Sequence, residues 1–183
     1  LVFPEWVVDL LPAFLVNLAY HVATDNSAAS AECRVRALLM LGETGENLAR
    51  GQELDLALAR QPATETELLE CYALKSGSLF EAALAGGARL CGAGDAEVAL
   101  LREAGRMLGQ AYQILDDLAD GPEEDSEYKD AGRQTAFSLF GPAAARARAQ
   151  QLLREIARRL DRLGPAAGRL RGMLDEILPP GTP

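Results

Sequence analysis

Apolar residues recur every three or four positions along most of the chain, and polar, Gly and Pro clusters separate the resulting segments. No segment shows the strict alternation of a half-buried strand. The pattern predicts an all-α helical bundle in one domain over residues 1–183. Its helices are expected at 4–22, 28–60, 65–90, 95–120, 142–163 and 166–178, with a short apolar piece at 135–140.

Local signals mark most of the helix ends. The turn 24–27 supplies a cap for the second helix, and Thr64 with Glu67 three residues later forms a capping box for the third. Gly121 and Pro122 are expected to end the helix that precedes them. The acidic and polar segment 123–130 that follows is predicted to be a loop.

The first helix contains the most hydrophobic part of the chain, from Trp6 to Val22. Asp9, Pro12 and Asn17 interrupt it, and no apolar run reaches the ~18–20 residues of a membrane-spanning helix. We therefore expect a core helix that Pro12 bends or breaks. His21 is the only histidine, and without a second ligand or a nucleophile nearby a structural or surface role is favoured over a catalytic one.

Composition narrows the classes of partner. The 183 residues carry a net charge of −9, which argues against binding to nucleic acid or to an anionic membrane. The helix 142–163 is expected to bury a stripe formed by Leu152, Leu153, Ile156 and Leu160, and its arginine-rich face is accordingly read as solvated. The three cysteines are odd in number and lack metal-ligand spacing, and the start of the chain lacks a signal peptide. These features favour a cytoplasmic protein with free thiols. Because the chain opens with Leu1 rather than Met, we expect it to be incomplete at its N-terminus.

The strongest chemical signal is a polar stripe on an otherwise apolar helix. Gln113, Asp116, Asp117 and Asp120 lie at i, i+3, i+4 and i+7, so they share one face over two turns. The other positions of this helix are mostly apolar, which reverses the usual surface pattern. We therefore expect the helix to be buried and the carboxylates to line a cavity or cleft.

Clustered carboxylates repel one another, and this repulsion must be offset. Two unit charges about 6 Å apart repel by roughly 3 kcal/mol at an effective dielectric constant of ~20. Either the group is protonated or a cation neutralises it, and carboxylates without imidazole or thiolate suit Mg²⁺ or Mn²⁺ better than Zn²⁺. Because Mg²⁺ commonly joins one or two carboxylates to substrate phosphates, the stripe indicates a Mg²⁺-bridged phosphorylated ligand. A solvated acidic helix end is the alternative.

Two further features are consistent with such a site. Leu68, Tyr72 and Leu79 form an expected core-facing stripe of the helix 65–90. Lys75 lies on the same stripe and requires an anionic partner unless its ammonium reaches solvent. Gly42, Gly45 and Gly51 interrupt the second helix, which indicates close helix packing or close approach of a ligand.

Four sequence blocks, in order, resemble the trans-isoprenyl diphosphate synthases of the polyprenyl synthetase family, which have the isoprenoid synthase fold. Residues 51–56 (GQELDL) are similar to the family's GQxxDL block, and 75–80 (KSGSLF) to its KTGxLF block. Residues 109–120 (GQAYQILDDLAD) resemble the second aspartate-rich motif, and 132–135 (GRQT) the later GKxT. The similarity extends from about residue 35 to 178.

The resemblance implies a reaction and a set of roles. The expected reaction is condensation of an allylic prenyl diphosphate with isopentenyl diphosphate, with Mg²⁺ assisting the departure of diphosphate. By the same resemblance Asp116, Asp117 and Asp120 hold Mg²⁺, and Lys75, Gln113 and Asp116 act in catalysis. The residues expected to bind substrate or to support that site are Lys75, Ser76, Gln113, Lys129, Arg133, Gln52 and Asp55. A homodimer, or a heterodimer with a homologous subunit, is also implied.

The chain departs from the family in one major respect. Asp116-Asp117 is the only Asp-Asp pair, so the family's first aspartate-rich motif and the basic segment before it are absent. Three interpretations remain open: an incomplete sequence lacking the N-terminal helices, a non-catalytic or regulatory subunit of a heteromeric synthase, or a degenerate bundle. A terpene cyclase would share the fold and the metal chemistry.

Overall fold

The computed structural model of the chain describes residues 4–130 and 134–177, and all secondary structure in those ranges is helical. Its α-helices are α1 (Glu5–Asp25), α2 (Ala31–Leu58), α3 (Glu65–Tyr72), α4 (Ser78–Glu81), α5 (Gly87–Leu90), α6 (Asp95–Asp130), α7 (Ala136–Phe140), α8 (Pro142–Asp161) and α9 (Gly168–Ile177). A 3-10 turn, Gly164–Ala167, precedes α9.

The predicted helix 65–90 is one uninterrupted helical rod with two π-helical segments. Ala73–Gly77 joins α3 to α4, and Ala82–Gly86 joins α4 to α5. We refer to residues 65–90 as the rod. Single turns of π-helix within α-helices are often found at functional sites, and the first segment contains Lys75.

The start of the rod is capped as predicted. Thr64 Oγ1 accepts the N–H of Glu67, and Glu67 Oε2 accepts the N–H of Thr64 at 2.8 Å. The cap of α2, in contrast, was predicted too early. That helix begins at Ala31, where the Oγ of Ser30 accepts the N–H of Cys33 at 3.1 Å.

Thr64→Ala tests the capping box. Loss of the hydroxyl, which accepts the N–H of Glu67 and donates to Glu67 Oε2, is expected to lower the free energy of unfolding by about 1 kcal/mol near neutral pH. The N–H and hydroxyl of Thr64 lower the pKa of Glu67, so the carboxylate's stabilising effect is present above its ordinary pKa and is lost as the pH falls through the lowered value. Urea denaturation at several pH values should therefore show the gap to wild type shrinking in acid. Thr24→Ala, at an exposed hydroxyl bonded within α1, should change stability by less than about 0.5 kcal/mol.

The prediction that 6–22 forms a core helix was wrong. Helix α1 continues through Pro12 without a break, and several of its large apolar side chains are exposed, including 61% of Phe14 and 60% of Leu10. In the part of the chain that the structure describes, α1 packs mainly on α2, and one neighbouring helix can cover only one side of another. His21 is on the exposed surface of this helix.

The predicted end of the helix at Gly121-Pro122 was also wrong. Helix α6 continues to Asp130, through the whole segment that was expected to be a loop. Glu and Lys have favourable helix propensity, and residues 123–130 are rich in them, so a single proline does not stop the helix here.

The core forms around α6, which packs against the rod and against α8. Leu108 and Ile114 of α6 are buried there, and the predicted apolar stripe of α8 is confirmed, with Leu152, Leu153, Ile156 and Leu160 all buried. Arginines lie on the other face of α8, where Arg159 pairs with Glu103 at 3.0 Å and with Glu155 at 2.5 Å.

The approach of α6 to the rod depends on glycine. A Cβ atom built on Gly109 would lie 2.2 Å from the backbone nitrogen of Gly77, and one on Gly105 would lie 2.5 Å from the Cα of Glu81. These distances are far inside van der Waals contact, so the two helical backbones touch directly. This contact sets the position of the π-helical segment relative to α6.

Two expectations about the whole chain concern membranes and thiols. None of the helices in the described ranges is long and apolar enough to cross a bilayer. Cys33, Cys71 and Cys91, all within those ranges, form no disulfide. The cytoplasmic location stays a prediction.

Candidate active site

A polar cleft opens where α2, the rod, α6 and the start of α7 meet. It brings together residues that are far apart in sequence. Its lining consists of Asp55, Tyr72, Lys75, Gln113, Asp116, Asp117, Asp120, Gln134 and Thr135. The predicted polar stripe of α6 therefore faces a cleft that also contains the predicted lysine.

Lys75 is held in this cleft by an ion pair and by a glycine. Its Nζ lies 2.8 Å from Oδ2 of Asp55, and both side chains are largely shielded from solvent. The stem of the lysine crosses α2 at Gly51, where an added Cβ would lie 2.8 Å from Lys75 Cγ. Of the three glycines predicted to mark close packing, Gly51 confirms the expectation, whereas a Cβ on Gly42 or Gly45 would meet nothing within 4 Å.

Asp117 is the buried member of the stripe, with 8% of its surface exposed. Its Oδ2 accepts hydrogen bonds from the hydroxyl of Tyr72 and, at 2.7 Å, from the N–H of Ala136. Burial raises the pKa of the Asp117 carboxyl, with a smaller upward contribution from Asp116, while the hydrogen bonds from Tyr72 and Ala136 act in the opposite direction. Hydrogen bonds thus offset part of the cost of burying Asp117. From the sequence, only protonation or a neutralising cation was expected.

Asp116 and Asp120 are exposed at the cleft, one helical turn apart. All three carboxylates therefore line a cleft, as expected, although only Asp117 is buried. Gln113 bridges the stripe to the rod: its Oε1 accepts the hydroxyl of Ser76 at 3.0 Å, and its Nε2 lies 3.4 Å from an oxygen of Asp116 and from one of Asp117.

The donor set fits Mg²⁺ shared with a phosphorylated ligand rather than a metal held by protein alone. Among the described residues no group of three or more His, Cys, Asp or Glu side chains forms a ready metal site. Mg²⁺ needs only one or two carboxylates when phosphate oxygens and water complete its shell, and Asp116 and Asp120 supply them at an open cleft. The three-aspartate metal site stays a prediction.

A second cleft lies farther along the same two helices and is almost entirely apolar. It runs between α1, α2 and the rod. Leu48 and Leu79 line the part that is nearest in sequence to Asp55 and Lys75. The rod and α2 thus carry charged groups where they line the polar cleft, and apolar side chains where they line the second cleft.

The chain that contains these two clefts matches a known protein family. The sequence model of the polyprenyl synthetase family matches residues 11–162. The chain belongs to the polyprenyl synthetase family. The resemblance in the four sequence blocks is thereby confirmed.

Two relatives show how much of a family member the chain represents. The geranylgeranyl diphosphate synthase of Pantoea ananas is 29% identical over 153 residues, which cover 81% of this chain and 51% of that protein. The chloroplastic geranylgeranyl pyrophosphate synthase of Catharanthus roseus is 30% identical over 175 residues, or 90% of this chain and 49% of that protein. The chain therefore spans about half the length of these polyprenyl synthetases.

Solved structures confirm the fold. A geranyltransferase from Helicobacter pylori, crystallised with magnesium and isoprenyl diphosphate, superposes with a TM-score of 0.74 at 24% identity, covering 96% of this chain and 60% of that one. An apo FPP/GFPP synthase from Zymomonas mobilis gives a TM-score of 0.74 at 26% identity, covering 88% and 57%. The predicted all-α bundle of the isoprenoid synthase type is therefore confirmed.

The polyprenyl synthetase blocks converge on the cleft only in part. Asp55, Lys75, Gln113 and the three aspartates line it, and Ser76 reaches it through Gln113. Gln52 does not, because its side chain is exposed and outside the lining. The side chain of Lys129 and the whole of Arg133 lie outside the described residues, so their predicted roles stay untested.

Sequence reasoning missed three residues of the cleft. Tyr72 was assigned to the core stripe of the rod, and it does lie in the core, but its hydroxyl reaches Asp117. Gln134 fastens the chain before α7 to the α2–α3 turn, donating to the carbonyls of Leu58 at 3.1 Å and Gln61 at 2.8 Å. Thr135 caps α7 by accepting the N–H of Ser138. The sequence signal that could have identified Gln134 and Thr135 is their position directly before the apolar segment that forms α7.

Proposed function

We propose that the chain is an isoprenyl diphosphate synthase, which condenses an allylic prenyl diphosphate with isopentenyl diphosphate. One observation carries the proposal: a carboxylate- and lysine-lined cleft and an apolar cleft lie along the same face of α2 and the rod. That arrangement suits a ligand with a diphosphate head and a hydrocarbon tail. Family membership supports the same reaction.

The residues of the cleft have separate tasks in this proposal. Lys75, whose Nζ lies 2.8 Å from Oδ2 of Asp55, would present its ammonium to the diphosphate. Gln113, held by Ser76, orients its amide toward Asp116 and Asp117. Asp116, Asp117 and Asp120 are the residues that would hold Mg²⁺, which would supply positive charge to the departing diphosphate.

The apolar cleft has a distinct role. Its residues would shield the hydrocarbon tail and the developing allylic cation from water, because water would otherwise capture that cation. Leu48, Leu79 and Ala83 lie in this lining.

Incubating the chain with Mg²⁺, an allylic diphosphate and labelled isopentenyl diphosphate tests the proposal. Label should pass into an extractable prenyl product, and Asp116→Asn should lower the rate about 100-fold, because a carboxylate ligand is lost. Glu46→Gln, at an exposed carboxylate of α2 outside both clefts, is the control and should leave the rate unchanged.

Two other outcomes would redirect the proposal. Turnover that begins only after a homologous second chain is added would favour the subunit alternative, and would also bear on the predicted homodimer or heterodimer. Consumption of a single prenyl diphosphate without isopentenyl diphosphate would favour a terpene cyclase. Equal activity of Asp116→Asn and wild type would count against the cleft as the active site.

A further inference from the structure

We propose that Tyr72 is a positioning residue of the polar cleft, and that its hydroxyl fixes the Asp117 carboxylate in the orientation that a metal–diphosphate pair requires. The inference rests on the proposed function. Tyr72 acts through Asp117, and Asp117 acts through the side of its carboxylate that faces Gln113 and the cleft.

The hydrogen bonds divide the two oxygens of Asp117. Oδ2 accepts both the Tyr72 hydroxyl and the Ala136 N–H, and that N–H is shared with the Tyr72 oxygen at 3.1 Å. Oδ1 is left on the side of Gln113 Nε2, at 3.4 Å. With two donors on one oxygen, rotation of the carboxylate would break both bonds, so the orientation of Oδ1 toward the cleft is fixed.

The location of Tyr72 suits this role. It is the last residue of α3, directly before the π-helical segment that contains Lys75, and only 7% of its surface is exposed. Burial, with the nearby Asp117 charge, raises the pKa of the phenol, so the hydroxyl remains a donor. The same hydroxyl therefore connects the rod, α6 and the first residue of α7 at one point beside the cleft.

A fixed carboxylate binds a metal better than a mobile one, because its rotation need not be frozen on binding. Hydrogen-bond partners that orient metal ligands typically contribute 10–100-fold to metal affinity. Without the hydroxyl, Asp117 keeps the Ala136 N–H but can turn away from Gln113. The proposal therefore predicts weaker metal–diphosphate binding in a folded protein.

Tyr72→Phe is the direct test, with Mn²⁺ and inorganic pyrophosphate as probes. Free Mn²⁺ is followed by its electron paramagnetic resonance signal as protein is titrated in, against a protein-free mixture of Mn²⁺ and pyrophosphate. Wild type should withdraw Mn²⁺ from the signal, and Tyr72→Phe should bind it about tenfold more weakly. Tyr112→Phe is the matched control, because Tyr112 packs on Phe80 and is half exposed, and it should bind as wild type does.

Ala136→Pro removes the second donor independently. Residue 136 is the first position of α7, where proline is tolerated, and Thr135 already has the extended backbone that precedes proline. This variant should weaken Mn²⁺ binding in the same direction. Circular dichroism and thermal unfolding of each variant establish the folded fraction, so that affinities refer to folded protein only.

The outcomes separate the inference from the function on which it rests. Wild-type affinity, or tighter binding, in folded Tyr72→Phe overturns the positioning role and leaves the proposed function standing. A lower melting temperature with unchanged affinity would make Tyr72 merely structural, and also overturns it. Failure of wild type to bind Mn²⁺ with pyrophosphate removes both the inference and the proposed function.

Discussion

Gly109→Ala is expected to destabilise the fold by about 3 kcal/mol, at the upper end of what overpacking costs. The added methyl would lie 2.2 Å from the nitrogen and 2.3 Å from the Cα of Gly77, and 2.6 Å from the carbonyl carbon of Ser76. All three are backbone atoms, so no side chain can rotate away. Helix α6 and the rod would have to separate, which displaces Lys75 and Ser76 from the cleft.

Gly42→Ala provides the matched control for that variant. Gly42 also lies within a helix, but a Cβ there would meet nothing within 4 Å. The substitution should raise the free energy of unfolding by about 0.5–1 kcal/mol, because alanine is the better helix former. Urea denaturation of wild type, Gly109→Ala and Gly42→Ala measures both changes in the free energy of unfolding. If Gly109→Ala were as stable as Gly42→Ala, direct backbone contact between α6 and the rod would be excluded.

The polar stripe of α6 could be predicted because helical periodicity is a local property. Gln113, Asp116, Asp117 and Asp120 share a face whatever the rest of the chain does, and the structure places them along one cleft. The difference in burial among these residues could not be predicted. Asp117 is buried and Asp116 exposed because of where the rod and α7 happen to pass, and that depends on packing.

Tyr72 shows the limit most clearly. Its spacing predicts a core residue, and its ring is indeed buried, but its hydroxyl meets a carboxylate 45 positions away. An apolar stripe does not indicate where a phenol's polar end lies. The contact between α6 and the rod was missed for the same reason. Gly77 and Gly109 lie in separate sequence blocks, and nothing in either block indicates that the two residues meet in space.

The two errors in the fold have a different origin. Local rules placed a stop at Gly121-Pro122 and assigned the apolar helix α1 to the core, but α6 continues to Asp130 and much of α1 is exposed. Proline is an unfavourable helix residue rather than an absolute stop, and hydrophobicity does not ensure a partner on every side. Both rules describe tendencies of a segment, whereas burial depends on its neighbours.

Lys75→Met is expected to lower kcat/KM by roughly 1,000-fold, as loss of a group that stabilises transition-state charge can do. Two effects act together. The diphosphate loses the ammonium of the cleft, and Asp55 keeps its negative charge without the lysine that lies 2.8 Å away. Because Asp116, Asp117 and Asp120 line the same cleft, the variant concentrates negative charge where an anionic ligand must bind.

The double variant Asp55→Asn/Lys75→Met separates these two effects. It lacks the ammonium but also the added negative charge, so it should recover about tenfold of the lost kcat/KM if the Asp55–Lys75 pair couples as its geometry indicates. Arg162→Met, at an exposed cation beyond the end of α8, is the control and should match wild type. The affinity for inorganic pyrophosphate with Mg²⁺, measured by calorimetry, should follow the same order. Equal loss in the single and double variants would mean that Asp55 supports the position of Lys75 without opposing the ligand, and that the lysine alone accounts for binding.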